Sequence, residues 1–310
     1  MLKVGVIRGG ISSKYQDSLE TGKNILFHLR QDKFKDKYKA VDILIDRNGL
    51  WHLKGLPTNM EKIFHSVDVI FNALHGGYGQ DGKIQQILEQ WQIPYTGSSP
   101  FASAMARHRT LAKERLHQTG IKVPAHILFP VYQKDFDGPS ETYPIRQAKE
   151  VWEKLSPPLI VKSLYENPQM ATHICQTFPE LVHAIKDGMD NKVSILVEEF
   201  IEGKKTSIPV IENFRRKKLY VFPPLDKFSS DEKKELERLS SQIHFDLGLG
   251  HYSLIEFIVK SPLGRPSQFY VVKVDSQPSL SSNSHLAKHL ETIGSNMAEF
   301  IEHVISEAKK

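Results

Sequence analysis

The stretch Asn72-Ala73-Leu74-His75-Gly76-Gly77-Tyr78-Gly79-Gln80-Asp81-Gly82, continued by Ile93-Pro94-Tyr95-Thr96-Gly97-Ser98, decides how the rest of the chain is read. An apolar run, Val67 to Ala73, has the look of a buried strand. It ends in a histidine, and a glycine-dense loop follows. In a parallel sheet that places an imidazole at the carboxyl edge, where such folds hold their ligands. A lone histidine there would more often be structural; the glycine string around it makes the pattern specific.

Working outward from that loop, strands and helices alternate. Leu2 to Ile7 reads as a strand that ends at Gly9-Gly10-Ile11-Ser12-Ser13. Such a turn can offer backbone N–H groups to an anion at a helix start, although any tight strand-to-helix turn needs glycine. Ser18 to Arg30 has Leu19, Ile25, Leu26 and Leu29 at helical spacing. Ala40 to Ile45 is a further strand, Ile84 to Gln92 a helix, and Ile93 to Thr96 a short strand. This alternation predicts a parallel sheet covered on both faces. Turn formers at Gly97-Ser98-Ser99-Pro100 mark the first boundary.

Beyond it the pattern predicts one helix from near Ser103 through Leu116, a strand at Ile127–Pro130 and a polar surface loop from Gln133 to Tyr143. Strands follow at Leu159–Lys162 and Val193–Phe200, with a helix at Pro179–Asp187 between them. The remainder reads as strands at Ser207–Ile211, Lys218–Phe222, Tyr252–Val259 and Phe269–Val274, and as helices at Asp231–Leu247 and Ser284–Ala308.

Composition narrows the class. The 310 residues are 40% hydrophobic and 25% charged, enough to bury a core and too apolar for intrinsic disorder. No window approaches the roughly 18 uninterrupted apolar residues of a membrane span. Cys175 is the single cysteine, so neither an internal disulfide nor a thiolate metal cage is available. The net charge of +5 is mild for this length and suits an anionic small ligand as well as it suits nucleic acid. The densest basic run, Arg215-Arg216-Lys217-Lys218, reads as a solvated turn between two strands. A cytoplasmic protein with a small-molecule ligand is expected, without nucleic acid or membrane as partner.

Two more segments carry chemistry. The strand Leu159-Ile160-Val161 ends in Lys162, which can reach phosphate oxygens, and Glu198-Glu199-Phe200-Ile201 lies later on a nearby strand where acidic groups can accept from an adenine amine. Glu256 and Asp275 fall on neighbouring strands, where carboxylates can hold a hard cation such as Mg2+. Phosphoryl transfer uses such a cation to neutralise developing charge.

Taken together these segments resemble the D-alanine–D-alanine ligases of the ATP-grasp superfamily. The resemblance covers essentially the whole chain and is most specific from Asn72 to Ser98. It implies an α/β, ATP-grasp fold: an N-terminal parallel-sheet domain (1–97), then two α+β subdomains (98–192 and 193–310) that enclose the nucleotide. It implies ATP and Mg2+ as cofactors, and a nucleotide and an amino acid as ligands. A homodimer through the first domain is the assembly it allows. By motif position His75 falls near the first D-alanine, and Ser284 matches a serine of the substrate site. Arg109 and Lys162 match two phosphate-binding lysines. Glu198, Glu199 and Ile201 match the adenine-binding hinge, and Glu256 and Asp275 match two of three magnesium ligands.

The departures fall on the chemistry. Lys14 stands where the family has a glutamate for the substrate ammonium. Leu254 replaces an arginine that stabilises the transition state, and Ser279 replaces a supporting glycine. Lys273 replaces a metal-bridging glutamate, and Lys205 replaces a glutamate that binds ribose. The loop Ser163-Leu164-Tyr165-Glu166-Asn167-Pro168-Gln169-Met170 has no glycine to cradle phosphates, and Pro168 removes a donor. The long closing loop is absent, since Val221 to Asp226 runs almost directly into a helix. The expectation is therefore a ligase relative with lost or much reduced activity that binds a nucleotide or another ligand. The alternative is an active ATP-dependent carboxylate–amine ligase, for D-alanine or for a changed substrate.

Overall fold

A computed structural model describes residues 1–165 and 167–309. The chain forms two compact units. The first comprises Met1–Arg107, Thr206–Glu256 and Lys273–Lys310, and the second His108–Lys205 and Phe257–Val272.

In the first unit, β1 (Leu2–Gly9), β2 (Tyr38–Ile45), β3 (Trp51–Leu53), β4 (Leu56–Pro57) and β5 (Val69–Asn72) make one sheet in the order β4-β3-β2-β1-β5. β1 runs parallel to both β2 and β5, with Val4 opposite Ala40 and Val69. β3 and β4 add an antiparallel edge that the periodicity did not reveal. The expected strand at Ile93–Thr96 contracts to a single bridge between Ile70 and Tyr95. One face of the sheet packs Val4, Val6 and Phe71 against Ile25, Leu26 and Leu29 of the helix Tyr15–Leu29, and against Phe300, Ile301 and Val304 of the helix Met297–Ala308. The other face packs Ile7, Ile43 and Ile45 against Phe64, Ile84 and Leu88. Burial on both faces explains why β1 and β5 read as continuous apolar runs.

The second unit carries an antiparallel sheet of β6 (His126–Phe129), β7 (Leu159–Ser163), β8 (His173–Cys175) and β9 (Ile195–Glu199) in the order β6-β9-β7-β8. Its core joins Leu159, Val161, Ile195 and Val197 to Leu181, Ala184 and Ile185 of the helix Phe178–Asp190. Thr177 and Glu180 close a capping box at that helix's start. The remaining strands, β10 (Lys204–Glu212), β11 (Leu219–Val221), β12 (Tyr252–Lys260) and β13 (Gln268–Asp275), order as β11-β10-β12-β13.

Three further expectations need correction. The single helix from Ser103 to Leu116 is two, Pro100–Arg107 and Arg109–Gln118. His108 between them is extended (φ −80°, ψ 93°) and its ring accepts from the Leu111 N–H. The single C-terminal helix is also two, His285–Thr292 and Met297–Ala308. Gly294 at φ +68° ends the first, and Asn296 caps the second by accepting from Glu299 N–H at 3.0 Å. The loop from Gln133 contains a short helix, Lys134–Asp137, and leads into the helix Tyr143–Lys154, which the polar sequence concealed. The basic run does form a turn between two strands, β10 and β11, with Arg215 over the Phe214 ring and Lys217 over Tyr220.

Candidate functional site

In the first unit, the loop after β5 buries His75. Its Nε2 lies 2.8 Å from Thr21 Oγ1, on the helix Tyr15–Leu29. Thr21 Oγ1 also accepts from Leu280 N–H at 3.3 Å and lies 3.5 Å from Ser279 Oγ. Burial lowers the His75 pKa; Asp275 and Asp17 oppose that and Lys14 reinforces it, so the ring is neutral near pH 7. The Ser12 hydroxyl donates to the His75 carbonyl at 2.7 Å, which is possible because Gly76, at φ +74°, has no Cβ to collide with Ser12 Oγ. The Gly9 N–H goes to Ser18 Oγ and the Gly10 N–H to the Ile45 carbonyl, both at 2.8 Å, so these amides serve the fold. Lys14 pairs with Asp17 at 3.2 Å.

A polar chain ties this loop to the end of β13. Asn72 Nδ2 donates to Gln277 Oε1 at 3.1 Å, and Gln277 Nε2 returns to the Asn72 carbonyl at 2.7 Å. Gln80 accepts from Gly76 N–H at 3.0 Å and donates to Asp275 Oδ1 at 2.9 Å. Asp275 Oδ1 also accepts from Gln277 N–H at 3.0 Å. The opposite oxygen of Asp275 lies 3.6 Å from Lys273 Nζ, and Lys273 Nζ lies 3.6 Å from Glu256 Oε1. The ammonium thus bridges the two carboxylates. Leu254, two residues before Glu256 on β12, is buried and apolar. Ser284 caps the helix His285–Thr292, accepting from Ala287 N–H at 3.2 Å.

Magnesium demands several oxygen donors in near-octahedral geometry. Here the donor set is two carboxylates with an ammonium between them. Among the described residues no group of three or more His, Cys, Asp or Glu side chains is placed to hold a metal. These residues do not fit Mg2+.

The second unit gathers a separate charged group. Arg109 opens the helix Arg109–Gln118 and donates to the Ser163 carbonyl at 3.2 Å. One turn later the buried Lys113 contacts Glu198 Oε1, while Lys162 from β7 contacts Glu198 Oε2. Both oxygens of the expected adenine acceptor are therefore engaged by cations. Burial pushes the Lys113 ammonium down to about 6, with Lys162 and Arg109 acting the same way. Glu199 is half-buried, with its backbone N–H donating to the Ala125 carbonyl at 2.9 Å; Ile201 is buried, and Lys205 is exposed on β10. In the loop after Lys162, Gln169 N–H donates to Asn167 Oδ1 at 2.8 Å and Met170 is buried, while Glu166 lies outside the described residues. Residues 222–229 alone join β11 to the helix Ser230–Asp246.

Sequence reasoning missed Thr21, Gln80, Lys113 and Gln277. Only Lys113 left a trace: it interrupts an otherwise buried helical stripe of Thr110, Ala112 and Leu116, where a lysine needs an acidic partner. The other three act through side-chain bonds to residues 54 to 259 positions away, which no local pattern encodes.

Comparison with solved structures defines the fold. The chain superposes on the crystal structure of a D-alanine–D-alanine ligase from Bacillus anthracis complexed with ATP, with TM-score 0.79 and 22% identity, covering 100% of this chain and 97% of the other. The D-Ala:D-Ser ligase VanG from Enterococcus faecalis gives TM-score 0.79 at 21% identity and 99% coverage of each chain. The fold is ATP-grasp. The family model for the D-ala D-ala ligase N-terminus matches residues 55–98. The D-alanine–D-alanine ligase of Clostridium beijerinckii is 26% identical over 328 residues, covering 100% of this chain and 99% of its own. Over its whole length the chain is thus similar to D-alanine–D-alanine ligases.

Proposed function

We propose that this chain is a cytoplasmic ligase relative that retains binding of a nucleotide or similar anionic ligand while D-alanyl-D-alanine synthesis is lost or much reduced. The observation that carries the reading is the Lys273 ammonium placed 3.6 Å from both Glu256 and Asp275. At such a separation two unit charges interact by about 4 kcal/mol at an effective dielectric of 20. A cation in place of a carboxylate therefore opposes a metal there by an amount that matters for transferring a phosphoryl group. Leu254 offers no donor to developing negative charge, and such donors are often worth about 3–4 kcal/mol. The basic side chains Arg109 and Lys162 in the second unit are of a type that suits an anion, and the ATP held by the Bacillus anthracis relative supports the same reading. A division into domains at 1–97, 98–192 and 193–310 accompanies this reading.

A second reading, an active carboxylate–amine ligase with a changed acceptor, draws on the buried His75–Thr21 contact and on the D-Ala:D-Ser ligase among the structural relatives. The separating experiment measures ATP-dependent phosphate release with D-alanine, then with a panel of amino and hydroxy acids. The proposal expects ATP to raise the melting temperature and no acid to accelerate phosphate release. Ordinary turnover with D-alanine defeats it, and turnover with another acid establishes the second reading.

A further inference from the structure

The misfit between Mg2+ and the Glu256–Asp275 pair has a consequence that deepens the nucleotide-binding reading and rests on it. We propose that Lys273 closes this carboxylate pair to divalent cations and acts as the resident counter-cation, so that the chain takes up its anionic ligand without Mg2+.

The geometry supports this in three ways. Lys273 Nζ is equidistant, at 3.6 Å, from an oxygen of each carboxylate. A dication could approach both oxygens only by displacing that ammonium. Asp275 has little freedom to re-aim, because its other oxygen already accepts from Gln80 and from the Gln277 backbone. Through Gln80 and Gln277 the carboxylate is anchored to the loop that carries His75 and to buried Asn72. Finally, the carboxylates together carry −2, and the lysine brings the cluster to −1. An incoming polyphosphate thus meets less repulsion without a metal. A glutamate at position 273 would raise the cluster to −3, which repels polyphosphate unless a dication intervenes and supplies the oxygen set that hard cations need.

The test uses the full chain, its Lys273→Glu variant and its Lys273→Gln variant. Lys273 is one-third exposed, so neither substitution empties a core position. Mn2+ is titrated without nucleotide and free metal is followed by electron paramagnetic resonance. ATP affinity is measured by calorimetry in excess EDTA and in excess Mg2+. The expected result is no Mn2+ bound by the native chain, Mn2+ bound by Lys273→Glu, and weaker Mn2+ binding by Lys273→Gln. ATP should bind the native chain equally with and without metal, and the glutamate variant at least about tenfold more tightly with Mg2+. Native ATP binding that requires Mg2+, or stoichiometric Mn2+ on the native chain, overturns the inference. Mn2+ held by Lys273→Glu alone, with ATP bound by no form under any condition, upholds the closed pair and defeats the nucleotide reading instead.

Discussion

Lys113 and Glu198 meet under the second unit's sheet, each with a side chain less than 5% exposed, and Lys162 completes the contact on the other oxygen of Glu198. Glu198→Gln takes the shared carboxylate away from the buried Lys113 and from Lys162. Breaking a buried pair from that side costs about 3–5 kcal/mol, whereas Lys113→Met removes a desolvated amine and leaves Glu198 its Lys162 partner. Urea unfolding should show a loss of about 3 kcal/mol for the first and of about 1 kcal/mol or less for the second. Equal losses would show that Lys162 does not hold Glu198. The folded pKa of Lys113, about 6, lies below its ordinary 10.5. The unfolded chain therefore binds the extra proton across that window, stability rises with pH through it, and Lys113→Met should flatten the slope.

Acid should destabilise the first unit through its buried histidines. His75 and His251 have pKa values lowered mainly by burial, and that of His289 falls to about 4. The unfolded chain takes up these protons near the ordinary 6.5, so their contribution is complete above that pH and declines as pH falls toward about 4. The melting temperature should drop across this interval. His289→Leu should reduce the drop by an amount equivalent to about 2–4 kcal/mol at the acid end. An unchanged acid slope in that variant would assign the sensitivity elsewhere.

Asn72 and Gln277 exchange two hydrogen bonds while both are buried. Asn72→Leu or Gln277→Leu alone strands a buried amide, costing about 1–3 kcal/mol. The double variant should be less destabilised than the sum of the singles, because neither amide then lacks its partner. Strict additivity in a double-mutant cycle would mean that the two bonds contribute nothing to stability.

Gly82 sits at φ +88°, and a Cβ there would lie 2.4 Å from the Pro100 carbonyl oxygen. Gly82→Ala combines a left-handed backbone with a clash against another backbone, and each effect is of order 1–3 kcal/mol. Its melting temperature should fall by several degrees at minimum, of order 2–4 °C per kcal/mol at this chain length. A fall smaller than Gly79→Ala produces would rank backbone strain below the contact of Gly79 with Leu74.

The sequence revealed most where one physical signal dominated. β1 and β5 are largely buried on both faces and β2 on one, so their apolar runs named them. The glycine string after His75 marked the loop that the structure ties to β13. Reading failed where a single residue overrides periodicity. His108 breaks a helix whose apolar spacing continues across it, and Gly294 does the same near the C-terminus. The charge at position 273 was legible, but its placement between Glu256 and Asp275 was not, since it depends on the register of two strands. Ser284, expected at the substrate site by resemblance, also caps a helix with its hydroxyl, a local role that resemblance alone did not disclose.

The discontinuity of the two units bears on how the polypeptide emerges from the ribosome. The chain passes from one unit to the other four times, and the first unit requires residues 273–310. The helix Met297–Ala308, which packs with Val4, Val6 and Phe71, is synthesised long after those strands. Until it arrives, the opening strands expose an uncovered apolar face, the kind of surface through which incomplete chains associate. A premature stop before residue 297 should therefore yield insoluble product, and the nascent chain is the form most in need of a chaperone.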